Sequence, residues 1–93
     1  MTHTIYKYEL EPAAVQILYL PAFAQVLSVH NQNEKMVVWA LVDASPDVVK
    51  EPVQFRIIGT GNDASGADGC TFLGTVLMND GQYVWHTFYK VLN

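Results

Sequence analysis

The residues of this chain that could hold an anion lie around one glycine-rich turn. Backbone amides in such a turn can bind a phosphate. Arg56, the chain's only arginine, lies on the segment that leads into Gly59-Thr60-Gly61. The longer glycine patterns of nucleotide-binding loops, and the helix that follows them, are missing. The turn therefore favours a strand that ends in a positive-φ loop, with an anion or nucleotide contact as the alternative.

Arg56 needs a partner wherever it is placed. Strand alternation puts its side chain on one face with Gln54 and Ile58, among apolar neighbours. A guanidinium in that position requires water, a carboxylate such as Asp43 or Glu51, or a bound anion. We expect a salt bridge, with a bound anion as the alternative.

The imidazole and thiol side chains give no catalytic or metal-binding pattern. His3, His30 and His86 are scattered, and Cys70 is the single cysteine. No ligand spacing for zinc is present, and one cysteine cannot form an internal disulfide. His86 lies between apolar residues on its strand face, and no motif supplies a nucleophile or carboxylate partner for it. We therefore expect no metal site, no cofactor and no catalytic residue.

The aromatic residues are the remaining candidates for recognition. Trp39 and Trp85 are expected to pack in the core or in oligomer contacts, since aromatic side chains bury large areas. The alternative is that they stack on a flat ligand or form hot spots of a protein interface. The candidate ligand-binding residues are Arg56, Gly59, Thr60, Gly61, Trp39 and Trp85.

Composition bounds the class of protein. The chain has 93 residues, of which 51% are hydrophobic and 15% charged, with a net charge of −4. This length predicts one domain over residues 1–93, and this hydrophobicity excludes wholesale disorder. The negative charge argues against binding nucleic acid through its phosphates. With no signal-peptide pattern and no apolar run long enough to cross a bilayer, we expect no membrane association and a cytoplasmic location.

Alternating and β-branched residues predict an all-β fold. Asp80-Gly81 is typical of a tight antiparallel hairpin. Ser45-Pro46 allows at most one short helical turn near 45–50, and the small, polar segment 61–69 predicts a mobile loop. The mostly antiparallel strands should form a small sandwich or barrel. We predict seven strands, at about 4–10, 15–20, 23–31, 35–43, 53–59, 71–78 and 82–90.

The fourth predicted strand is apolar on both faces. Residues 36–42 read Met-Val-Val-Trp-Ala-Leu-Val without a polar side chain. One face of that strand meets the core, and no helix is long enough to cover the other. Monomers rarely leave such a face open. The pattern therefore predicts a homo-oligomer, with a two-fold dimer favoured as the commonest closed arrangement.

An ordered series of motifs resembles a family of short uncharacterised proteins of bacteriophages, prophages and bacteria. The resemblance covers roughly residues 5–88 and departs mildly at Tyr6, where such proteins often have tryptophan. It implies a small accessory gene on a mobile element and carries no established activity. The motifs are Ile5-Tyr6-Lys7-Tyr8, Val26-Leu27-Ser28-Val29 with Gln32, Trp39-Ala40-Leu41-Val42-Asp43, Phe55-Arg56, Gly59-Thr60-Gly61, Phe72-Leu73-Gly74-Thr75-Val76 and Val84-Trp85-His86-Thr87-Phe88.

These observations together favour a binding protein over an enzyme. We expect a phage-like accessory factor that counters or modulates host defence machinery. It would act by binding a host protein or by sequestering a nucleotide-like small molecule between subunits. The alternative is a minor structural or assembly protein of a phage particle.

Overall fold

The computed structural model describes residues 2–92, which form seven strands in two antiparallel sheets. One sheet has the order β1-β4-β3 and the other β2-β5-β7-β6, and the two pack as a small sandwich. A single 3₁₀ turn spans Ser65–Ala67 in this part of the chain. The strands are β1 His3–Glu9, β2 Val15–Pro21, β3 Gln25–Gln32, β4 Lys35–Asp43, β5 Lys50–Gly59, β6 Thr71–Met78 and β7 Tyr83–Val91.

The predicted all-β class and all seven strands are confirmed. The segment near 45–50, where the sequence allowed one helical turn, forms a non-helical turn closed by a 3.2 Å bond from the Val48 N–H to the Ser45 carbonyl. The Ser45 hydroxyl does not cap a helix, because it donates to the Asp43 carboxylate at 2.6 Å. β5 consequently begins at Lys50, earlier than predicted, and the helical turn lies instead in the loop after β5.

Two hairpins close one side of the sandwich. Asn79 and Asp80 have positive φ angles in the turn between β6 and β7, so the predicted hairpin is confirmed. Glu34 also has a positive φ, of 63°, in the two-residue turn between β3 and β4. Its carboxylate accepts the Asn79 N–H at 3.1 Å, and the Asn31 side-chain amide donates to the Leu77 carbonyl at 3.0 Å. These bonds join the edge of one sheet to the edge of the other.

The core lies between the sheets and is built from alternate residues of the central strands. Phe55, Leu20, Val38 and Val42 are its largest fully buried apolar side chains. Burying a side chain of this size contributes roughly 1.5–3 kcal/mol. The inward residues of β7 include Thr87, whose buried hydroxyl has no hydrogen-bond partner within residues 2–92.

The second face of β4 is covered by its own chain. Val37 on that face is only 2% exposed. The Lys7 ammonium on β1 donates to the Gln32 side chain on β3 at 2.8 Å, and the register places this bridge over Val37. The Trp39 ring packs against His30, with ring centroids 5.5 Å apart. The doubly apolar strand therefore does not require a second subunit for its burial.

The outer face of the four-stranded sheet leaves several apolar side chains open, whereas on the outer face of the three-stranded sheet Ile5, at 55% exposure, shares its face with the covered residues Val37 and Trp39. The pairing register places the outward residues of β2 beside Arg56 and those of β6 beside Phe88. No helix in the described part of the chain is long and apolar enough to cross a membrane. The open apolar side chains of this face are Val15, Ile17, Tyr19, Phe72 and Leu77.

Candidate functional site

A cleft of about 840 Å³ lies at the end of β5. Its walls are the segment 9–14, the β3–β4 hairpin at 34–36 and the first half of the loop after β5. Its apolar lining comes from residues of both sheets. The apolar residues that line it include Leu10, Met36, Ile57, Met78 and Trp85.

Arg56 lines this cleft without an ion pair. The salt bridge expected from Arg56 to Asp43 or Glu51 is not formed within residues 2–92. Asp43 accepts hydrogen bonds from Ser45, and Glu51 accepts the Phe23 N–H at 3.0 Å. The Arg56 Nε is buried and has no hydrogen-bond partner among the described residues. An unpartnered buried donor of a charged group costs several kcal/mol in an apolar site. Because Nε is enclosed while the Arg56 side chain as a whole is only half-buried, an acceptor that enters the cleft would have to contact the terminal nitrogens of the guanidinium.

The loop after β5 packs directly on this guanidinium. A Cβ atom added to Gly66 would lie 2.6 Å from the Arg56 Nη1 atom, closer than any real contact. A side chain at residue 66 would force the Arg56 guanidinium to move, so glycine permits the close approach seen here. Cys70, at the end of the loop, directs its thiol to the Gly66 carbonyl at 3.8 Å. The loop thus forms one wall of the site.

Gly59 and Trp85 form the opposite part of the lining. A Cβ atom on Gly59 would lie 3.0 Å from the Trp85 ring and 2.9 Å from the Asn62 side-chain nitrogen. The Trp85 ring stacks on Tyr83, with centroids 5.9 Å apart and planes 20° apart. Stacking holds the indole in place, so the cleft presents a preset aromatic surface.

The charge around the cleft is mixed. Glu9 is paired with Lys35 at 3.5 Å, and the hydrogen bonds from the Ser65 backbone and hydroxyl lower the pKa of Asp63. A ligand with several negative charges would meet repulsion from these carboxylates. The arrangement instead suits a ligand with one anionic group, directed at the arginine. The charged lining residues are Glu9, Glu11, Glu34, Asp63, Lys35 and Arg56.

His86 lies beside the site and is held by two threonine hydroxyls. Thr60 Oγ1 is 2.7 Å from its Nε2 atom, and Thr75 Oγ1 is 3.0 Å from its Nδ1 atom. Each hydroxyl can donate or accept, so both ring nitrogens are satisfied in either tautomer. The triad logic of an activated nucleophile also requires a group that orients the base, usually a carboxylate. Here each ring nitrogen of His86 contacts a threonine hydroxyl, from Thr60 or Thr75, and neither contacts a carboxylate within residues 2–92.

The structure brings together three of the six candidate residues predicted from sequence. Arg56, Gly59 and Trp85 line the cleft, and Thr60 lies just beyond it, in a neighbouring hollow shared with Gly59 and Trp85. Gly61 has φ +88°, and a Cβ atom built on it would meet no atom within 4 Å. It is not among the residues that line the cleft. Trp39 belongs to the outer face of the other sheet, so the structure does not place it in this site.

Sequence reasoning missed the residues that the other sheet brings to the cleft. Leu10 and Met36 reach it because the Leu10 N–H bonds to the Met36 carbonyl at 2.9 Å. This long-range pairing cannot be predicted from the local sequence pattern. Gly66 had a possible signal, since it is the middle glycine of the loop 61–69. No cluster of metal-ligating side chains occurs within residues 2–92.

Comparison with known families identifies the chain. The family model described as a domain of unknown function, DUF7352, matches residues 1–93. The chain belongs to the DUF7352 family. No curated protein and no solved structure matches this DUF7352 chain.

Proposed function

We propose that this DUF7352 protein binds a small, flat molecule with one anionic group and holds it without chemical change. The unpaired Arg56 in the cleft wall is the observation that carries this proposal. Its buried Nε and the absence of a carboxylate partner within residues 2–92 leave a recognition group unused in the free protein.

The cleft supports a ligand with an aromatic part. Trp85, fixed by stacking on Tyr83, supplies a flat surface, while Met36 and Met78 supply adaptable apolar contacts. A nucleotide-like molecule with a single phosphate combines a flat base with one anionic group. The carboxylates at the rim disfavour a polyphosphate.

The biological setting that we propose is that of a phage-like accessory factor. Such a protein would withdraw a nucleotide-like signal from the host's defence machinery by binding it. The support for this setting is the resemblance of the motif series to short phage, prophage and bacterial proteins. The cleft supports the chemistry of binding independently of that setting.

Calorimetric titration with adenosine monophosphate as the probe tests the binding. We expect saturable binding to the native protein, loss of binding in Arg56→Ala, and partial recovery in Arg56→Lys, since lysine lacks the planar fork of donors. Lys90→Ala, which removes an exposed cation outside the cleft, is the matched control and should bind normally. Unchanged affinity in Arg56→Ala would remove Arg56 from the site. Failure of the native protein to bind any nucleoside monophosphate would contradict the proposal.

A second candidate function, binding of a host protein, is favoured by Phe23. This residue is 96% exposed and has φ +64°, a conformation that costs a non-glycine residue about 1–2 kcal/mol. Its neighbour across the turn, Val49, is 72% exposed, and the Ala22 N–H bonds to the Val49 carbonyl at 2.7 Å. Exposed aromatic side chains are typical hot spots of protein interfaces.

A pull-down from host extract tests this second candidate. Phe23→Gly should lose a partner that the native protein retains, while its stability stays equal or rises because glycine relieves the positive φ. Val49→Ser, which keeps the turn geometry, should weaken the same partner to a lesser extent. A partner retained by Phe23→Gly would exclude Phe23 as its anchor.

A further inference from the structure

Three of the four edge strands of the sandwich are protected against pairing with another chain. β1 carries the charged residues Lys7 and Glu9. The edges at β3 and β6 lie side by side and are joined by the bond from Asn31 to the Leu77 carbonyl. Charges and coverage are the usual ways in which a protein blocks edge-to-edge association.

β2 has neither protection. Its sequence, Val-Gln-Ile-Leu-Tyr-Leu-Pro, contains no charged residue. Val15, Ile17 and Tyr19 are 41%, 46% and 64% exposed. An exposed apolar edge strand of seven residues is a template for another strand.

The backbone N–H and C=O groups on the unpaired edge of β2 belong to the same three residues, Val15, Ile17 and Tyr19. The Ala14 carbonyl accepts the Ile57 N–H, and the Ala22 N–H donates to the Val49 carbonyl, so the even-numbered residues direct their backbone groups toward β5. Because backbone direction alternates along a strand, the N–H and C=O groups of Val15, Ile17 and Tyr19 face outward.

We propose that β2 pairs antiparallel with β2 of a second copy of this chain, so that two four-stranded sheets become one sheet of eight strands. With Ile17 on the two-fold axis, Ile17 lies opposite the partner's Ile17, and Val15 lies opposite the partner's Tyr19. This register satisfies every outward N–H and C=O group of Val15, Ile17 and Tyr19, whereas a shift by two residues leaves some unpaired.

Self-complementary pairing favours a second copy as the occupant, because β2 supplies both members of each side-chain pair in this register. The net charge of −4 on each chain opposes association, and this repulsion is least where the paired segment is itself uncharged. The register sets a β-branched residue beside an aromatic one at both outer pairs, which is a favourable cross-strand combination. The pairing is independent of the cleft and does not require a ligand.

Charge substitutions at the two-fold axis test this pairing by sedimentation. The native protein should have twice the 10.4 kDa mass of one chain. Ile17→Lys and Ile17→Glu should each halve that mass, because like charges meet at the axis. An equimolar mixture of the two variants should regain the double mass, since opposite charges then face each other. Ile5→Lys, which replaces an isoleucine of 55% exposure on the protected β1 edge, against 46% at Ile17, should leave the mass unchanged.

Amide exchange in the native protein provides a readout that needs no variant. The amides of Val15, Ile17 and Tyr19 should exchange more slowly at concentrations where the dimer forms than after dilution to monomer. A native mass of 10.4 kDa up to the solubility limit would overturn the proposal. A dimer that persists in both Ile17 variants while they stay folded would overturn it as well. So would the finding that a different protein, and not a second copy of this chain, binds at β2.

Discussion

The outer faces of the two sheets differ in how far the protein's own side chains cover their apolar residues. Both belong to strands rich in apolar residues. On the three-stranded sheet, Lys7 bridges to Gln32 over Val37, and Trp39 packs against His30. On the four-stranded sheet, Tyr19 is left 64% exposed and Arg56 has no ion pair within residues 2–92.

This difference separates residues that serve the fold from residues that are free to serve recognition. Groups already paired within the chain have little left to offer a ligand. Groups left unpaired lower the stability of the free protein, and such local costs are typical of functional sites. The comparison therefore supports our proposal that the four-stranded sheet and its cleft serve recognition.

The largest expected effect is on stability, from truncation of an aromatic residue on the self-covered face. Trp39→Ala should lower the free energy of unfolding by about 2 kcal/mol, because the half-buried ring loses its packing. Tyr19→Ala, on the open face, should change it by no more than about 0.5 kcal/mol. Urea unfolding below the association range measures both values. Equal losses in the two variants would remove the distinction between the faces.

The fold was predictable from sequence because its signals are local. The alternation in each strand and the Asp80-Gly81 turn specify strands and a hairpin without knowledge of distant residues. The short helical turn was misplaced because the Ser45 hydroxyl bonds to Asp43, where the pattern suggested a helix cap. Ser-Pro is a typical helix start, but the hydrogen bond from Ser45 to Asp43 replaces the helix cap here.

The site was predictable only in part. Arg56 and Gly59 lie on one strand, so a single segment could point to both. Met36 comes from the other sheet, and no local pattern reports which strands meet across a core. Trp39 was grouped with the site by residue type alone, and its actual surroundings depend on the pairing order of β1, β4 and β3.

A smaller effect concerns the pH response of the two loops that carry Asx-type turns. Hydrogen bonds from the Ser65 backbone and hydroxyl lower the pKa of Asp63 below its ordinary value of 3.8. The turn is therefore stabilised above that value, and this contribution is lost as the pH falls through the lowered pKa. The Ser65 amide resonance should accordingly titrate with a midpoint below 3.8 in the native protein.

Asp43 provides the matched comparison at the end of the three-stranded sheet. Hydrogen bonds from the Ser45 hydroxyl and backbone lower its pKa in the same way. Asp63→Asn should abolish the titration of the Ser65 amide and leave that of the Ser45 amide intact. Asp43→Asn should do the reverse. A titration at Ser65 that survives Asp63→Asn would show that another carboxylate controls the turn.

The proposed function requires that Arg56 serves a ligand and not the fold. The free energy of unfolding of Arg56→Met, compared with the native protein by urea denaturation without ligand, measures this. Methionine keeps much of the side-chain volume and removes the buried Nε that has no partner in the described structure. We predict an unchanged or higher free energy of unfolding, since an unsatisfied buried donor is removed. A loss of more than about 2 kcal/mol would show that Arg56 is a structural residue, and would contradict the account.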